Sequence, residues 1–306
     1  MSELRIGTLV PGNAQTESYL TQILSHGFES FQITFGQRIQ VEIPALAEGV
    51  RRAIGEADVR IDCLGTYGNP LESTAAADAW EQLIDHAHLF GATVVAGFAG
   101  RLTDRPVDES IPRFKEVFAP LAKRAAERGL RIAFENCDWD GTWLRGAQNM
   151  ALGPTAWERM FEAVPDENAG LEWDPSHTMG AFIDPLAQLR SWASRIFHVH
   201  GKDATMHWDV IRERGIRGPE VYYDHRTPGF GDGNWSDFIS VLRSAGYAGT
   251  IDIEGWHDPV YRDDLEMTGQ VAALRYLKRC RGGERVPNPE MTSSPVDAGH
   301  RPPVVG

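Results

Sequence analysis

Eight short runs rich in β-branched and apolar residues are spread along the chain, and amphipathic segments separate them. The runs are RIGTLV (5–10), FQITFG (31–36), VRIDCLG (59–65), ATVVAGF (92–98), RIAFEN (131–136), GLEWD (170–174), IFHVH (196–200) and TIDIEGW (250–256). Strands that alternate with helices indicate a parallel sheet, and eight such units predict closure into a (β/α)8 TIM barrel. An open doubly wound sheet is the rival, but it typically has a glycine-rich turn after its first strand. Here that turn reads VPGNAQT.

The segment between the fourth and fifth runs has the clearest helical pattern. Apolar residues within 111–129 recur near the 3.6-residue period. Gly129 then stands where a glycine commonly ends a helix. Similar patterns predict helices at 16–28, 44–58, 75–91 and 185–195.

Three connections that follow strands are longer than a plain barrel needs, at 66–74, 137–154 and 204–234. In barrel enzymes the loops after strands build the active-site face, and loops of this length typically serve as lids or interfaces. We predict a single barrel domain over residues 1–281. Proline, glycine and polar residues dominate 282–306, which predicts a disordered C-terminal tail.

Composition excludes several classes of partner. The formal net charge of −13 repels nucleic-acid phosphates and anionic membrane surfaces. No run approaches the ~20 apolar residues of a membrane helix, and the first residues lack a signal-peptide pattern. Cys63, Cys137 and Cys280 are scattered, which indicates neither a disulfide framework nor a cysteine-based zinc site. We therefore expect a cytoplasmic protein that binds neither nucleic acid nor membranes.

Alternation within the predicted strands indicates which side chains point into the barrel. Successive residues face opposite sides, and the apolar set faces the helices while the other set faces the lumen. In the fifth strand, Ile132 and Phe134 should face the helices and Glu135 the lumen. In the seventh, Phe197 and Val199 should face the helices. The inward residues of the last three strands are then Glu172, Asp174, His198, His200, Lys202, Thr250, Asp252, Glu254 and Trp256.

Four adjacent strands thus end in an inward group that can bind a metal: Glu135, Asp174, His200 and Glu254. Any one of them alone could be a solvated carboxylate or a hydrogen-bonded histidine. Three carboxylates and an imidazole that converge away from water cannot all be charged and unpaired. Oxygen ligands with one nitrogen suit Mn²⁺ or Mg²⁺, with Co²⁺, Fe²⁺ and Zn²⁺ as alternatives. We predict one divalent ion and place Mn²⁺ first.

At these same residues the chain resembles a known family. FEN at 134–136, EWDPSH at 172–177, HVHGKD at 198–203 and DIEG at 252–255 are similar to the sugar phosphate isomerase/epimerase family of xylose-isomerase-like TIM barrels. The similarity covers nearly all of residues 5–280. It implies a barrel enzyme that acts on a small-molecule carbohydrate, and it leaves association into homo-oligomers open.

The resemblance also implies roles for particular residues. Glu135, Asp174, His200 and Glu254 would bind one metal, and His177 would touch a substrate oxygen. Glu135 and Glu254 would be catalytic, exchanging protons on opposite sides of the substrate. The implied reaction is isomerisation or epimerisation of a sugar or keto-sugar, by proton abstraction next to a carbonyl through a metal-bound enediolate.

A lyase that uses the same metal site is the alternative, such as an inosose-type dehydratase or an enzyme that eliminates from 3-keto-glycosides. Keto-sugar 3-epimerases of the family usually have an arginine shortly after the seventh-strand histidine. Here ATMHWD follows, and the first arginine is Arg212. Two further alternatives are a DNA-repair endonuclease, which the acidic charge disfavours, and a non-catalytic barrel.

Other residues are candidates for contacts to the substrate. Lys202 points inward beyond His200 and could hold a substrate oxygen. Tyr67, Trp139 and Trp143 lie in long loops and could stack on sugar faces, or pack those loops together. The stretch YYDHR at 222–226 could close over a sugar, contact another subunit or form a plain surface loop. We expect His198 to be a hydrogen-bonded residue deeper in the barrel, paired with Glu172 or Asp252.

Overall fold

The computed structural model describes residues 4–283 and 286–287. The tail predicted at 282–306 lies outside this range except for four positions, so that prediction and the domain boundary at 281 stay predictions. Within the described residues, no helix combines the length and the apolar character needed to span a membrane.

Eight parallel strands close into a barrel, as predicted. Around the barrel the strand order is β1-β10-β7-β6-β5-β4-β3-β2. The barrel strands are β1 (Arg5–Pro11), β2 (Ser30–Gly36), β3 (Arg60–Tyr67), β4 (Val94–Gly97), β5 (Arg131–Glu135), β6 (Ala169–Trp173), β7 (Ile196–Gly201) and β10 (Thr250–Ile253). Every strand therefore sends its C-terminal end to the same face of the molecule.

Helices surround the barrel and include all five that the sequence patterns predict. They are α1 (Thr16–Ile23), α2 (Ile43–Ile54), α3 (Thr74–His86), α4 (Val107–Ala126), α5 (Pro154–Ala163), α6 (Pro175–Gly180), α7 (Pro185–Trp192), α8 (Trp208–Arg214), α9 (Trp235–Ser244) and α10 (Glu266–Cys280). Gly129 follows α4 with a φ of 69°, a left-handed conformation that glycine adopts without steric cost. The predicted end of this helix is therefore confirmed.

The connection at 204–234 is more ordered than a plain loop. It contains α8 and two antiparallel strands, β8 (Asp203–Met206) and β9 (Tyr223–Arg226). We call β8 and β9 the hairpin. Its far end is tied to the loop after β10, because Arg226 Nε and Thr227 N donate to Asp258 Oδ2 at 3.1 and 2.8 Å.

One inward–outward assignment is wrong. Phe197 does not join the helix-facing core; it packs in a small separate cluster with residues of β3, β4 and β5, including Ala133. The cause is a register irregularity between β6 and β7, where Leu171 pairs with Ile196 but Glu172 pairs with His198. Phe197 is the extra residue of this bulge, so its side chain departs from strict alternation.

A partly buried ion pair joins Arg281, directly after α10, to Glu29, directly before β2. Arg281 is 4% exposed. It donates to both carboxylate oxygens of Glu29, at 2.6 and 3.0 Å, and to the carbonyl of Leu4 at 2.8 Å. The N–H of Ile6 donates to Glu29 as well. Burial raises the pKa of Glu29, but Arg281, this N–H and Lys278 outweigh it and hold the pKa below its ordinary value.

We predict that Glu29→Gln lowers the free energy of unfolding at pH 7 by about 2–3 kcal/mol, the range for hydrogen bonds to charged groups. The folded-state pKa of Glu29 is depressed, so its stabilisation is full above the ordinary value of 4.5 and is lost as the pH falls through the folded value. The difference between Glu29→Gln and wild type should therefore shrink in acid. Urea unfolding at neutral pH and at about pH 4 measures both effects.

The control is Asp58→Asn, because Asp58 pairs with Arg5 at 2.7 Å but its side chain is 91% exposed. We expect this substitution to cost less than ~1 kcal/mol. An equal cost for the two variants at pH 7 would contradict a structural role for the partly buried pair.

Candidate functional site

The structure brings Glu135, Asp174, His200 and Glu254 together at the C-terminal face of the barrel. One ligand atom from each lies within 4.8 Å of the others. Glu135 ends β5, His200 lies in β7, and Asp174 and Glu254 directly follow β6 and β10. All four side chains are buried. We call these residues the acid–histidine cluster.

Local hydrogen bonds explain why the ends of β5 and β6 hold their acids in place. Asn136 accepts from the N–H of Asp174 at 2.6 Å and donates to its carbonyl at 2.8 Å. Asn149 donates to the carbonyl of Glu135 at 2.8 Å. Asp174 also caps α6, because its Oδ1 accepts from Ser176 N at 2.8 Å. Its other oxygen, Oδ2, is left for the cluster.

The two ring nitrogens of His200 face different partners. Nδ1 lies 3.1 Å from Glu135 Oε1 and 3.2 Å from Glu254 Oε2, so it faces the cluster. Nε2 lies 3.0 Å from Gln32 Oε1 and 3.1 Å from Glu172 Oε1, on the side of the barrel floor. His200 therefore separates the cluster from a second set of polar groups beneath it.

That second set is centred on His198. Its Nδ1 lies 2.9 Å from Glu172 Oε1 and its Nε2 lies 2.8 Å from Asp252 Oδ2. Ser30 Oγ donates to the other oxygen of Asp252 at 2.6 Å. The prediction that His198 is a hydrogen-bonded residue paired with these acids is confirmed. Cys63 also lies near Glu172 and His198, but both nitrogens of His198 already have carboxylate partners.

Neighbouring charges give the buried acids different pKa values. Burial is the main influence on Glu135 and raises its pKa to about 7, although His200 opposes it. Burial also disfavours ionised Glu172, but His200 and His198 outweigh it and lower the pKa to about 2. For Glu254 the burial effect is again outweighed, chiefly by Lys202 and His200, and the pKa is well below its usual range. Carboxyls of this site thus differ in proton affinity, as acids and bases of active sites commonly do.

The donor set suits a divalent cation. Asp174 Oδ2 is buried and accepts no hydrogen bond in the described part of the chain. Lys202 Nζ lies 3.3 Å from it, and 3.3 Å from Glu254 Oε2, as an ion-pair partner. Three carboxylates thus converge with one ammonium, which leaves carboxylate oxygens available to a metal ion. Oxygen ligands with a single imidazole nitrogen match the preference of Mn²⁺ and Mg²⁺ better than that of sulfur-preferring ions.

A cavity of about 570 Å³ opens above the cluster. One wall is aromatic: the ring centroids of Tyr67 and Phe98 lie 5.3 Å apart, and those of Phe98 and Trp139 lie 6.1 Å apart. The opposite wall carries three imidazoles, His177, His225 and His257. Their successive centroid distances are 4.9 and 5.6 Å. The cavity therefore offers one apolar wall and one hydrogen-bonding wall, as sugars require.

Most predicted substrate contacts line this cavity. They are Tyr67, Trp139, His177 and Lys202. Trp143 does not line it: its side chain packs against the hydrophobic core, and its carbonyl accepts from Arg101 and from Val107 N. These bonds hold Trp143 below the loop surface, so the structure offers no support for its predicted sugar contact.

Three further residues belong to the site, and two of them, His257 and Gln32, escaped the sequence analysis. His225 comes from β9 and bonds Ser176 Oγ through its Nδ1, and His257 lies 3.0 Å from Glu254 Oε1. Gln32 was also missed, although a glutamine within the apolar run FQITFG is an inward polar residue by the same alternation that identified Glu135. His225 lies in the stretch 222–226, for which the sequence pattern left three roles open, because Tyr223 and His225 alternate over only four strand residues.

Comparison with curated proteins finds distant relatives. The chain is 24% identical over 240 residues to the uncharacterized protein YfiH of Bacillus subtilis, which covers 66% of this chain and 73% of YfiH. It is 26% identical over 217 residues to an inosose dehydratase of Bacillus cereus, covering 64% and 68% of the two chains.

Solved structures share the fold. The 3-keto-D-glucoside 4-epimerase YcjR of E. coli superposes with a TM-score of 0.67 at 17% identity, over 91% of this chain and all of that chain. An L-ribulose 3-epimerase gives 0.64 at 16% identity, over 91% and 93%. The sequence pattern of one family matches residues 20–280, most of the chain. With the barrel in place, this match shows that the chain belongs to the xylose isomerase-like TIM barrel family.

Proposed function

We propose that this protein is a divalent-metal-dependent enzyme that isomerises or epimerises a sugar or keto-sugar by moving a proton next to a carbonyl. The acid–histidine cluster carries the proposal, because its four ligand atoms lie within 4.8 Å of one another at the floor of a cavity of about 570 Å³. Relatives named as epimerases and as inosose dehydratase support enzymatic chemistry on cyclic polyols and sugars.

Glu135, Asp174, His200 and Glu254 would hold the metal, with Mn²⁺ as our first choice. A bound ion of this kind supplies Lewis-acid polarisation of a carbonyl and its neighbouring hydroxyl. His200 would use Nδ1, because that nitrogen faces the carboxylates of Glu135 and Glu254. The four residues come from β5, β6, β7 and β10, so the barrel itself fixes their spacing.

The protein's own residues would then move the proton and orient the substrate. Glu135 and Glu254 belong to strands separated by β6 and β7, so their carboxylates reach the cavity from different sides. Lys202 can only donate, and its Nζ lies 3.3 Å from His177 Nε2, nearer than Asp174 Oδ2 at 3.5 Å, so we assign Nε2 as the acceptor. The ring proton of neutral His177 is therefore on Nδ1, which has no hydrogen-bond partner among the described residues. We assign this N–H to a substrate oxygen.

A lyase with the same metal site is the second candidate, and the imidazole wall favours it. His225 and His257 stand beside the cluster and could serve a departing hydroxyl or alkoxide group. The residues after β7 enter the hairpin and read ATMHWD, without the arginine that keto-sugar 3-epimerases of the resembling family usually have shortly after the seventh-strand histidine. A dehydratase or a 3-keto-glycoside eliminating enzyme would fit this difference.

Proton exchange from deuterated water tests both reactions at once. The enzyme, loaded with Mn²⁺, is incubated with ketohexoses, inososes and 3-keto-glycosides, and exchange at carbon is followed by NMR. We expect exchange that chelation abolishes and that added Mn²⁺ restores. Exchange without fragmentation identifies the isomerase or epimerase, and release of water or an aglycone identifies the lyase. Exchange with no carbonyl compound, or exchange that resists chelation, would contradict the proposal.

Glu135→Gln and Glu254→Gln should each lower the exchange rate by about 10²–10⁴-fold, the usual contribution of a general acid or base. The matched control is Glu72→Gln, because Glu72 lies in the loop after β3 and bonds Thr103 instead of lining the cavity. Steady-state kinetics on the substrate found above gives the comparison. Equal activities for either cluster variant and wild type would remove that glutamate from the mechanism.

Glu172 should orient His200 toward the metal. In Glu172→Gln the amide can present N–H groups where the carboxylate accepts from the His200 and His198 rings, so we expect Mn²⁺ affinity to fall by ~10–100-fold, as for other outer-shell partners of metal ligands. Calorimetric titration with Mn²⁺ measures this without substrate. Asp62→Asn is the control, since Asp62 is buried in β3 but bonds Thr93. Unchanged affinity in Glu172→Gln would refute the orienting role.

A further inference from the structure

We propose that the substrate is an uncharged glycoside and that the cavity mouth is a subsite for its aglycone. We call Trp139, Tyr223 and Trp256 the rim subsite. The inference rests on the proposed function, because it places the carbonyl-bearing ring at the acid–histidine cluster and the second group farther out.

The size of the cavity favours more than a free sugar. At about 570 Å³ the cavity lies well inside the range of ~300–1,000 Å³ that small-molecule pockets occupy. A free hexose has only six carbons and six oxygens. The cavity therefore has room for a sugar ring together with a second group.

The aromatic wall extends from the floor to the mouth. Tyr67 is its innermost member, because its hydroxyl lies 3.2 Å from His200 Nε2. Phe98 comes next and is 4% exposed, whereas Trp139 is 58% exposed. A ring bound at the cluster would contact Tyr67 and Phe98. Trp139 lies one ring farther out, where only an additional group of the substrate would reach it.

The loop after β5 is built to hold Trp139 at the mouth. Trp139 and Asp140 both have left-handed backbone conformations, with φ of 49° and 55°, which non-glycine residues seldom adopt without a constraint. Buried Arg101 supplies one, because it donates to the carbonyls of Thr142 and Trp143. A large indole kept exposed over a cavity by an internally bonded loop is a preformed contact surface for a ligand.

Two further aromatic rings complete the rim from the other side. Trp256 follows β10 and is 43% exposed. Tyr223 belongs to the hairpin and stands directly over Gly180, where a Cβ would lie 2.6 Å from the tyrosine ring. All three rim residues line the same cavity. Planar aryl groups and the apolar faces of pyranose rings both pack on such side chains.

Charge around the cavity disfavours a phosphorylated substrate. Among the lining residues, which all belong to the described chain, Lys202 is the one lysine or arginine, and it already faces Asp174 and Glu254. Asp138 and Asp140 stand beside Trp139 at the mouth. A phosphate there would meet carboxylates and no free cation, so the aglycone should be neutral.

The test compares 3-keto-glucose with its methyl and phenyl glycosides, in both anomers, and with a 3-keto-disaccharide, using Mn²⁺-loaded enzyme. We expect kcat/KM for proton exchange or elimination to be about 10-fold higher for the better phenyl or glycosyl derivative than for the methyl glycoside, the factor that one aromatic contact supplies. Comparing the phenyl glycoside with the disaccharide derivative shows whether the rim subsite prefers an aryl aglycone or a second sugar. A 6-phosphate of the same sugar should react at least 10-fold more slowly.

Trp139→Ala should lower kcat/KM for the preferred glycoside about 10-fold more than for the free keto-sugar, mainly through KM. Trp208→Ala is the matched control, since Trp208 is 48% exposed but does not line the cavity. Equal losses for glycoside and free sugar in Trp139→Ala, or a preference for the free sugar in wild type, would overturn the subsite while the proposed function stands. Absence of reaction with every compound contradicts the proposed function instead.

Discussion

The site depends on the compensation of buried carboxylates by cations from a single strand. β7 and the residue after it carry His198, His200 and Lys202 at alternate positions, and each lies between acids in or directly after the flanking strands β6 and β10. Burying a carboxylate without a partner costs several kcal/mol, so the acids and the β7 cations can be buried only together. The alternation of β7 thus produces two layers of charged residues. In the lower layer, around His198, every charge is paired, and in the upper layer, around His200, the acids outnumber the cations.

Strand alternation explains why the four cluster residues could be predicted. Each follows an apolar residue at the end of a strand, and the closed barrel turns them all to one axis, so a period of two was sufficient to place Glu135, Asp174, His200 and Glu254. The same rule misplaced Phe197, because a bulge adds one residue to β7 and sequence alone does not show it. Strand alternation also places Gln32 in the lumen, but attention to charged and metal-binding groups left this neutral residue out.

Residues beyond the strand ends were harder to predict, because long-range hydrogen bonds position them. The hairpin lies where it does since Asp258, more than 30 residues later, accepts from Arg226 and Thr227. Trp139 and Trp143 look alike in the sequence, yet the Arg101 guanidinium binds the carbonyl of Trp143 and leaves Trp139 at the mouth. Neither the position of the hairpin nor the different placement of the two tryptophans follows from a local sequence pattern. Each depends on a buried polar group from another part of the chain.

In the proposed function, chemistry and recognition rest on different parts of the fold. The floor is made of strand ends whose spacing the barrel fixes, and loop side chains such as Asn149 hold them in place. The rim is made of the loops after β5 and β10 and of the hairpin, each held by its own buried anchor, Arg101 or Asp258. Substitutions at the rim can change which group is admitted without disturbing the charge balance of β7. Substitutions at the floor do disturb this charge balance, because removing one charge leaves its partners buried and unpaired. Under the proposed function, this separation would allow the rim to change with the size of the substrate while the floor keeps its arrangement of charges.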